Sequence, residues 1–121
     1  MAFNETVIRM AMQSSNGGPL EGATHTGVAG TPGAGKYIKV HLRVEDGTVK
    51  EAKWEANGCP ASMACAATVC KIACGKTFTD LMEISHTLSR KDVIVLLQGL
   101  PEGKEPMADM AVEALREALR G

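Results

Sequence analysis

Aromatic side chains are scarce in this sequence, with one Trp, one Tyr and two Phe making up 3% of its 121 residues. The core must therefore be built from Ala, Val, Leu, Ile and Met, and a hydrophobic content of 45% is sufficient for a globular fold. An excess of charge of either sign is also absent, since 13 basic residues face 14 acidic ones and the formal net charge is −1. That balance does not indicate a nucleic acid or an anionic membrane as a partner.

Long hydrophobic runs are missing too, as is the charged, apolar and small-residue order of a secretory signal. We therefore expect no membrane partner and a cytoplasmic location. Dispersed cysteines are absent, because all four lie between Cys59 and Cys74, and this clustering excludes a disulfide framework. The length predicts a single domain over residues 1–121.

Hydrophobic alternation predicts a β-hairpin in the middle of the chain. Strands are expected from Tyr37 to Glu45 and from Thr48 to Asn57, joined by the two-residue turn signal Asp46-Gly47. The inward side chains of the first strand are Ile38, Val40, Leu42 and Val44, and those of the second are Ala52, Trp54 and Ala56. A shorter strand is predicted from Ala23 to Val28, followed by a glycine-rich loop from Ala29 to Gly35.

Helical periodicity and stop signals predict five helices. They are Asn4 to Gln13, Pro60 to Cys74, Thr77 to Ile84, Arg90 to Leu97 and Ala108 to Leu119. The second is apolar almost all round, which is typical of a helix buried on several sides. Because the clearest strands precede most of the helices, we expect an α+β fold in which helices pack mainly on one face of a three-stranded antiparallel sheet.

Cys59 is the leading candidate for a functional residue, because it stands between the predicted hairpin and the predicted second helix. Pro60 suits the first helical position, so the Cys59 sulfur is expected at a helix N-terminus, where unpaired N–H groups and the helix dipole favour negative charge. A thiol in that position ionises more easily, and the thiolate is both the nucleophile and the metal ligand. The alternative is a small apolar residue that happens to cap the helix.

The segment from Gly30 to Lys36 matches most of the phosphate-binding loop pattern, but its context argues against nucleotide binding. The residue after Lys36 is Tyr37, where Ser or Thr would hold magnesium. A phosphate-binding loop must also lead into a helix, whereas Lys36 leads into the clearest predicted strand. We therefore expect a glycine-rich loop and no nucleotide.

Three segments of the sequence form one specific combination. They are Asn57-Gly-Cys59 with the later Gly75-Lys-Thr77, the stretch Gly99-Leu-Pro-Glu-Gly-Lys104, and the segment from Gly27 to Gly35. Together they resemble the NifU-like (IscU/SufU-type) iron–sulfur cluster scaffold family. The first matches the family's Gly-Cys segment and the Gly-Lys-Thr/Ser that follows it, the second resembles the segment that carries its last cysteine, and the third aligns with the loop that carries its first. The resemblance runs from about Asn4 to Leu119 and implies the scaffold fold.

The departures from the family's pattern fall on its ligand positions. Where the resemblance places a first cysteine, an aspartate and a third cysteine, this chain has Ala34, Lys36 and Met107. Of the three cysteines and the aspartate that the resemblance expects, this chain keeps only Cys59. A standard cluster needs about four thiolate-class ligands, so one such chain cannot hold it at the family's site.

The resemblance implies an iron–sulfur cluster or iron as the bound species, with zinc less favoured. It also implies a cysteine desulfurase and cluster-transfer proteins as partners, while self-association stays open. Lys36 near the thiol would lower its pKa and suit a persulfide, while repelling iron or zinc; the alternative is an exposed lysine at the start of a strand.

The remaining cysteines and histidines are weaker candidates for ligands. We interpret Cys65, Cys70 and Cys74 as small core residues, because their spacing differs from the paired Cys-x-x-Cys of zinc sites. The histidines are scattered, and His25 is the one whose strand the resemblance places beside the site loop.

Three functions follow, in order of preference. The first is a non-enzymatic protein of iron–sulfur cluster biogenesis, in which Cys59 is a persulfide acceptor or one metal ligand of a shared cluster. The second is a degenerate scaffold that serves as an interaction or regulatory module without a cluster. The third is an enzyme with Cys59 as nucleophile, which would need a nearby base that the sequence does not identify.

Overall fold

The computed structural model describes residues 4–13, 17–31, 35–57, 60–100 and 102–120. In chain order, its elements are α1 (Glu5–Gln13), β1 (His25–Gly30), β2 (Tyr37–Glu45), β3 (Thr48–Asn57), α2 (Pro60–Ala73), α3 (Phe78–Thr87), α4 (Arg90–Leu96) and α5 (Glu105–Leu119). The strands form one antiparallel sheet in the order β1-β2-β3. This arrangement confirms the predicted α+β fold with a three-stranded sheet.

The β2–β3 hairpin has the predicted ends and turn. Asp46 and Gly47 both have positive φ, at 53° and 73°, as a two-residue turn of the primed type requires. The side chains of Ile38, Val40 and Leu42 are fully buried. Val44 is only partly buried, because the strand register shifts between Arg43 and Val44.

Strand β1 lies two residues further along the chain than predicted and includes Ala29 and Gly30. Its two glycines disfavour a strand locally, but pairing with β2 over its full length overrides that preference. Gly30 has φ of 90°, and a Cβ added to it would lie 2.3 Å from the carbonyl oxygen of Lys36. Only glycine therefore fits the point where the β1–β2 connection begins.

Helices α2 and α5 pack on one face of the sheet, α2 against β3 and β2, and α5 against β1 and β2. α2 is buried along most of its length, as its lack of polar residues predicts, and ten of its residues are buried. α5 crosses β1 so closely that a Cβ on Gly27 would lie 2.1 Å from the Ala114 carbonyl oxygen. The sequence did not reveal this approach, because the two segments are far apart along the chain.

Two helix boundaries differ from the predictions by more than one residue, the start of α5 and the end of α3. α5 begins at Glu105, three residues early, because Pro106 is tolerated in the first turn of a helix. α3 begins at Phe78 and continues to Thr87, and the Thr77 side chain accepts a hydrogen bond from the Asp80 N–H as its N-cap.

Asn4 connects the first helix to the end of the fourth. Its side-chain oxygen accepts a hydrogen bond from the Val7 N–H at 2.8 Å, which caps α1. Its amide nitrogen donates to the carbonyl oxygens of Leu97, Gln98 and Gly99 at 2.9–3.2 Å, which satisfies carbonyls just after α4. One side chain therefore fixes the start of the segment that resembles the family's last motif.

Candidate functional site

The described residues on either side of Cys59 support its predicted position before a helix, although Cys59 itself lies outside them. β3 ends at Asn57 and α2 begins at Pro60, the residue predicted to open the helix. Residues 60–63 contain no acidic side chain that would offset the positive end of the helix dipole. The prediction of a helix that starts directly after Cys59 is confirmed.

The β1–β2 connection meets the end of β3 at the same end of the sheet. Tyr37 pairs with Asn57, and the Asn57 side-chain nitrogen donates to the carbonyl oxygen of Gly35 at 3.3 Å. The chain around positions 35 and 36 therefore lies beside the strand that leads to Cys59. Ala34, at the position where the resemblance expects the first cysteine, lies outside the described residues.

Lys36 is exposed and leads directly into β2, so the prediction that this lysine precedes a strand is confirmed. Its carbonyl oxygen accepts the Thr31 N–H at 3.1 Å, which closes the connection between two strands. No other described residue forms an ion pair with its ammonium group. A second cation, Lys39, lies over the Tyr37 ring with 5.6 Å between Nζ and the ring centroid.

Met107 is 6% exposed and belongs to the hydrophobic core in the first turn of α5. A neutral thioether packed in an apolar core is a weak ligand for iron. Within the described part of the chain, no group of three or more His, Cys, Asp and Glu side chains is arranged to hold a metal ion. Of the described residues at positions where the resemblance expects ligands, neither Lys36 nor Met107 supplies a thiolate for a cluster held by one chain alone.

The cysteines of α2 have different environments. Cys65 and Cys70 are fully buried, which agrees with their interpretation as core residues. Burial raises the pKa of the Cys70 thiol far above its usual value, and the nearby Cys74 adds to that rise, so Cys70 stays protonated and inert.

The interpretation of Cys74 as a core residue is wrong, because it is exposed just beyond the end of α2. Its sulfur lies 3.7 Å from the carbonyl oxygen of Lys50. The apolar run continues past the point where the helix leaves the core, and this is why the sequence pattern missed its exposure. Of the three cysteines that the structure describes, Cys74 is the accessible one.

Two histidines, His25 and His41, belong to the sheet. His25 opens β1, about 17 Å along the strand from Gly30, and its ring contacts Phe78 with 5.1 Å between centroids. His41 lies between Glu55 and Thr26, at 2.7 Å and 3.0 Å from its two ring nitrogens. Because His25 lies at the far end of β1 from the loop, its position argues against a role as a metal ligand beside Lys36.

No helix among the described residues is long and apolar enough to cross a lipid bilayer.

The fold is similar to the folds of two solved structures. It resembles the crystal structure of a putative iron-sulfur cluster assembly scaffold protein for the SUF system from Fervidobacterium islandicum AW-1, with a TM-score of 0.73, 15% identity and coverage of 96% of this chain and 95% of that chain. A NifU-like N-terminal structure from Brucella abortus gives a TM-score of 0.67 at 16% identity, covering 97% and 91% of the two chains.

Sequence comparison identifies the family. The model of the NifU-like N terminal domain matches residues 2–121, and the chain belongs to that family. The iron-sulfur cluster assembly scaffold protein IscU 1 of Archaeoglobus fulgidus is 28% identical over 97% of this chain and 74% of its own length. A scaffold protein IscU of Aquifex aeolicus is 25% identical over 98% and 74%. The resemblance predicted from the motifs is confirmed.

Proposed function

We propose that this chain is an iron–sulfur cluster assembly protein of the IscU/NifU scaffold type that acts through Cys59 as a sulfur acceptor. The observation that carries the proposal is the family match over residues 2–121, with Cys59 standing directly before the N-terminus of α2. The partial positive charge at a helix N-terminus lowers the pKa of an adjacent thiol and so favours the thiolate.

The proposed step is a transfer of sulfane sulfur from a partner's cysteine persulfide. The Cys59 thiolate attacks the outer sulfur of the persulfide R–S–SH. A new S–S bond forms on Cys59 while the donor's S–S bond breaks, and R–S⁻ leaves as a thiolate. Atoms and electrons balance without an external oxidant or reductant, and an attacking sulfur in its thiolate form needs no catalytic base.

Persulfide carriage fits the described surroundings better than cluster binding by one chain. Lys36 is an exposed cation at the same end of the sheet as the strand that leads to Cys59, and a cation favours an anionic persulfide. Met107 is packed in the core and offers only a thioether. A cluster, as the cargo of such a protein, would therefore need thiolates from a second subunit or a partner, with Cys59 as one ligand.

The partners of this role are a cysteine desulfurase, which supplies the persulfide, and cluster-transfer proteins, which receive the product. The chain itself is proposed to be a carrier and not an enzyme. The cytoplasmic location stays a prediction, because relatives include the mitochondrial iron sulfur cluster assembly protein 1 of Yarrowia lipolytica, 27% identical over 78% of this chain.

A second candidate is an interaction or regulatory module that uses the fold without sulfur chemistry. Two observations favour it, the exposed cation Lys36 and the core thioether Met107 at positions where the resemblance expects ligands. Under this function the partner surface is retained and replacement of Cys59 has no functional effect.

The deciding experiment is anaerobic incubation of the chain with a cysteine desulfurase and cysteine, with and without ferrous iron. Intact-protein mass spectrometry follows the gain of one sulfur atom, and visible absorbance with iron and acid-labile sulfide analysis follows cluster formation. We compare wild type with Cys59→Ser and with Cys74→Ser, the matched control at an exposed thiol.

We expect a DTT-reversible sulfur adduct on wild type and Cys74→Ser that is absent from Cys59→Ser. Cluster absorbance that vanishes in Cys59→Ser would instead assign Cys59 as a ligand of a shared cluster. Neither adduct nor bound iron on wild type would overturn the sulfur role and leave the interaction module.

A further inference from the structure

A cleft between three helices lies away from the N-terminal end of α2. It has a volume of about 320 Å³ and opens to solvent. Its walls come from α1, the second half of α2 and the last residue of α4, and they are Thr6, Arg9, Met10, Thr68, Lys71, Ile72 and Leu96. The α2 residues of the cleft lie about 12 to 18 Å along the helix axis from Pro60, so this surface is separate from the proposed sulfur site.

The apolar residues that line the cleft are Met10, Ile72 and Leu96, and part of this apolar surface is exposed. Leu96 is 55% exposed, and its neighbour Val95 is 72% exposed. Ile8, on α1, is also exposed. Large aliphatic side chains that face water beside a concave surface are typical of a site where another chain docks.

The charged residues of the cleft are both cations. Arg9 and Lys71 are exposed at its walls, and neither side chain forms an ion pair or hydrogen bond with another described residue. No acidic side chain is among the described residues that line the cleft, although the whole chain carries a formal net charge of −1. The cleft is therefore a local concentration of positive charge without an internal counterion.

We propose that this cleft is a docking site for an acidic amphipathic segment of a partner protein. Aliphatic side chains of the segment insert between α1, α2 and α4, against Met10, Ile72 and Leu96. Carboxylates on the flanks of the same segment pair with Arg9 and Lys71. A helix that places an apolar face in a groove, with charges at its edges, is a common mode of peptide recognition, and the charge complementarity sets the choice of partner.

The test uses a fluorescently labelled, helix-forming peptide with leucines at i, i+3, i+4 and i+7 and glutamates flanking that face. The control peptide carries lysines in place of the glutamates, so that apolar area and helical periodicity are matched. Fluorescence anisotropy measures binding to the full chain. Chemical-shift changes in the ¹⁵N-labelled protein locate the site.

We expect the acidic peptide to bind wild type more tightly than the basic one by about tenfold or more. The double variant Arg9→Glu/Lys71→Glu should reverse that preference, and Leu96→Gln should weaken binding of both peptides. Lys50→Glu is the charge-reversal control for each single change in that pair, because Lys50 is exposed on β3 outside the cleft. The Lys50→Glu variant should keep the wild-type preference for the acidic peptide.

Several outcomes would overturn the proposal. Equal affinity for both peptides, no binding of either, or an equal loss in Lys50→Glu would show that the cleft does not select acidic segments. Shift changes confined to other residues would place the binding elsewhere. Sedimentation of the unliganded chain tests the competing occupant, since a dimer dissociated by Leu96→Gln would assign the cleft to a second copy of this chain.

Discussion

The two faces of the sheet are made by alternating residues of the same strands, yet they are specified by different physical properties. The helix-covered face consists of apolar and small residues beneath α2 and α5, namely Gly27, Ile38, Val40, Leu42, Ala52 and Trp54. On β2 and β3 the polar face is made mainly by charged residues and one histidine, namely Lys39, His41, Arg43, Glu51, Lys53 and Glu55.

The covered face depends on volume, because its side chains are packed against helices and leave little room for change. The polar face depends on cross-strand pairing of opposite charges. Arg43, for example, lies 3.0 Å from Glu51 on the neighbouring strand, and also 2.6 Å from Glu45 on its own strand. Both carboxylates raise the pKa of the Arg43 guanidinium, but water and salt screen charges at such exposed positions. Substitutions should therefore cost most on the covered face.

The largest effect is expected for Gly27→Ala. The added methyl group would lie 2.1 Å from the Ala114 carbonyl oxygen and 2.2 Å from the Ala118 backbone nitrogen, so α5 has to shift as a unit. We expect the free energy of unfolding to fall by about 3 kcal/mol or more, at the upper end of overpacking costs. Urea denaturation followed by circular dichroism measures it.

Gly35→Ala is the matched control for that substitution. A Cβ at Gly35 meets nothing within 4 Å, and its effect should stay within about 0.5 kcal/mol. If both variants were equally stable, the close packing of α5 on β1 would be contradicted. The free energy of unfolding would then not depend on whether a glycine lies under a helix or in open space.

A second prediction concerns the pH dependence of stability and the thiol of Cys70. Burial raises its pKa in the folded state, so folded Cys70 stays protonated while the unfolded thiol ionises above about pH 8.5. The unfolded state then binds fewer protons, and stability is lost as pH rises. Between pH 8 and pH 10 we expect this one thiol to lower the free energy of unfolding by about 1 to 2 kcal/mol.

Cys70→Ala isolates that contribution. The variant loses stability at every pH because a buried sulfur is removed, but its decline between pH 8 and pH 10 should be shallower than that of wild type. Parallel slopes for wild type and Cys70→Ala would contradict the burial of this thiol.

Much of the covered face could be predicted from the sequence, because alternation in β2 and β3 and the Asp46-Gly47 turn determine the hairpin locally. The long apolar pattern of α2 likewise predicted a helix buried on several sides. The crossing of α5 over Gly27 could not be predicted, since it joins segments that are far apart along the chain. Cys74 was misplaced because an apolar residue type says little about where a helix leaves the core.

The candidate site was only partly predictable. Pro60 indicated correctly that a helix starts after Cys59, and the motifs indicated the family. The meeting of Gly35 with Asn57 depends on strand pairing and became visible only in the folded chain. The cleft lined by Arg9, Lys71 and Leu96 is formed by three helices from segments that are distant along the chain, so the sequence did not reveal it. The pair of apolar residues at the end of α4 was the sequence feature that could have indicated it.

The smallest effect is expected on the polar face, for the pair of His41 and Glu55. The histidine Nε2 lies 2.7 Å from a Glu55 carboxylate oxygen, with 12% and 32% of the two side chains exposed. A double-mutant cycle with His41→Ala and Glu55→Ala, followed by urea denaturation, should give a coupling energy below about 1 kcal/mol, because partial exposure screens the pair. A coupling above about 2 kcal/mol would mean that this face is specified as strictly as the covered one. A small value would instead show that the polar face has freedom to vary without loss of the fold, since its charged pairs contribute little beyond the packing beneath them.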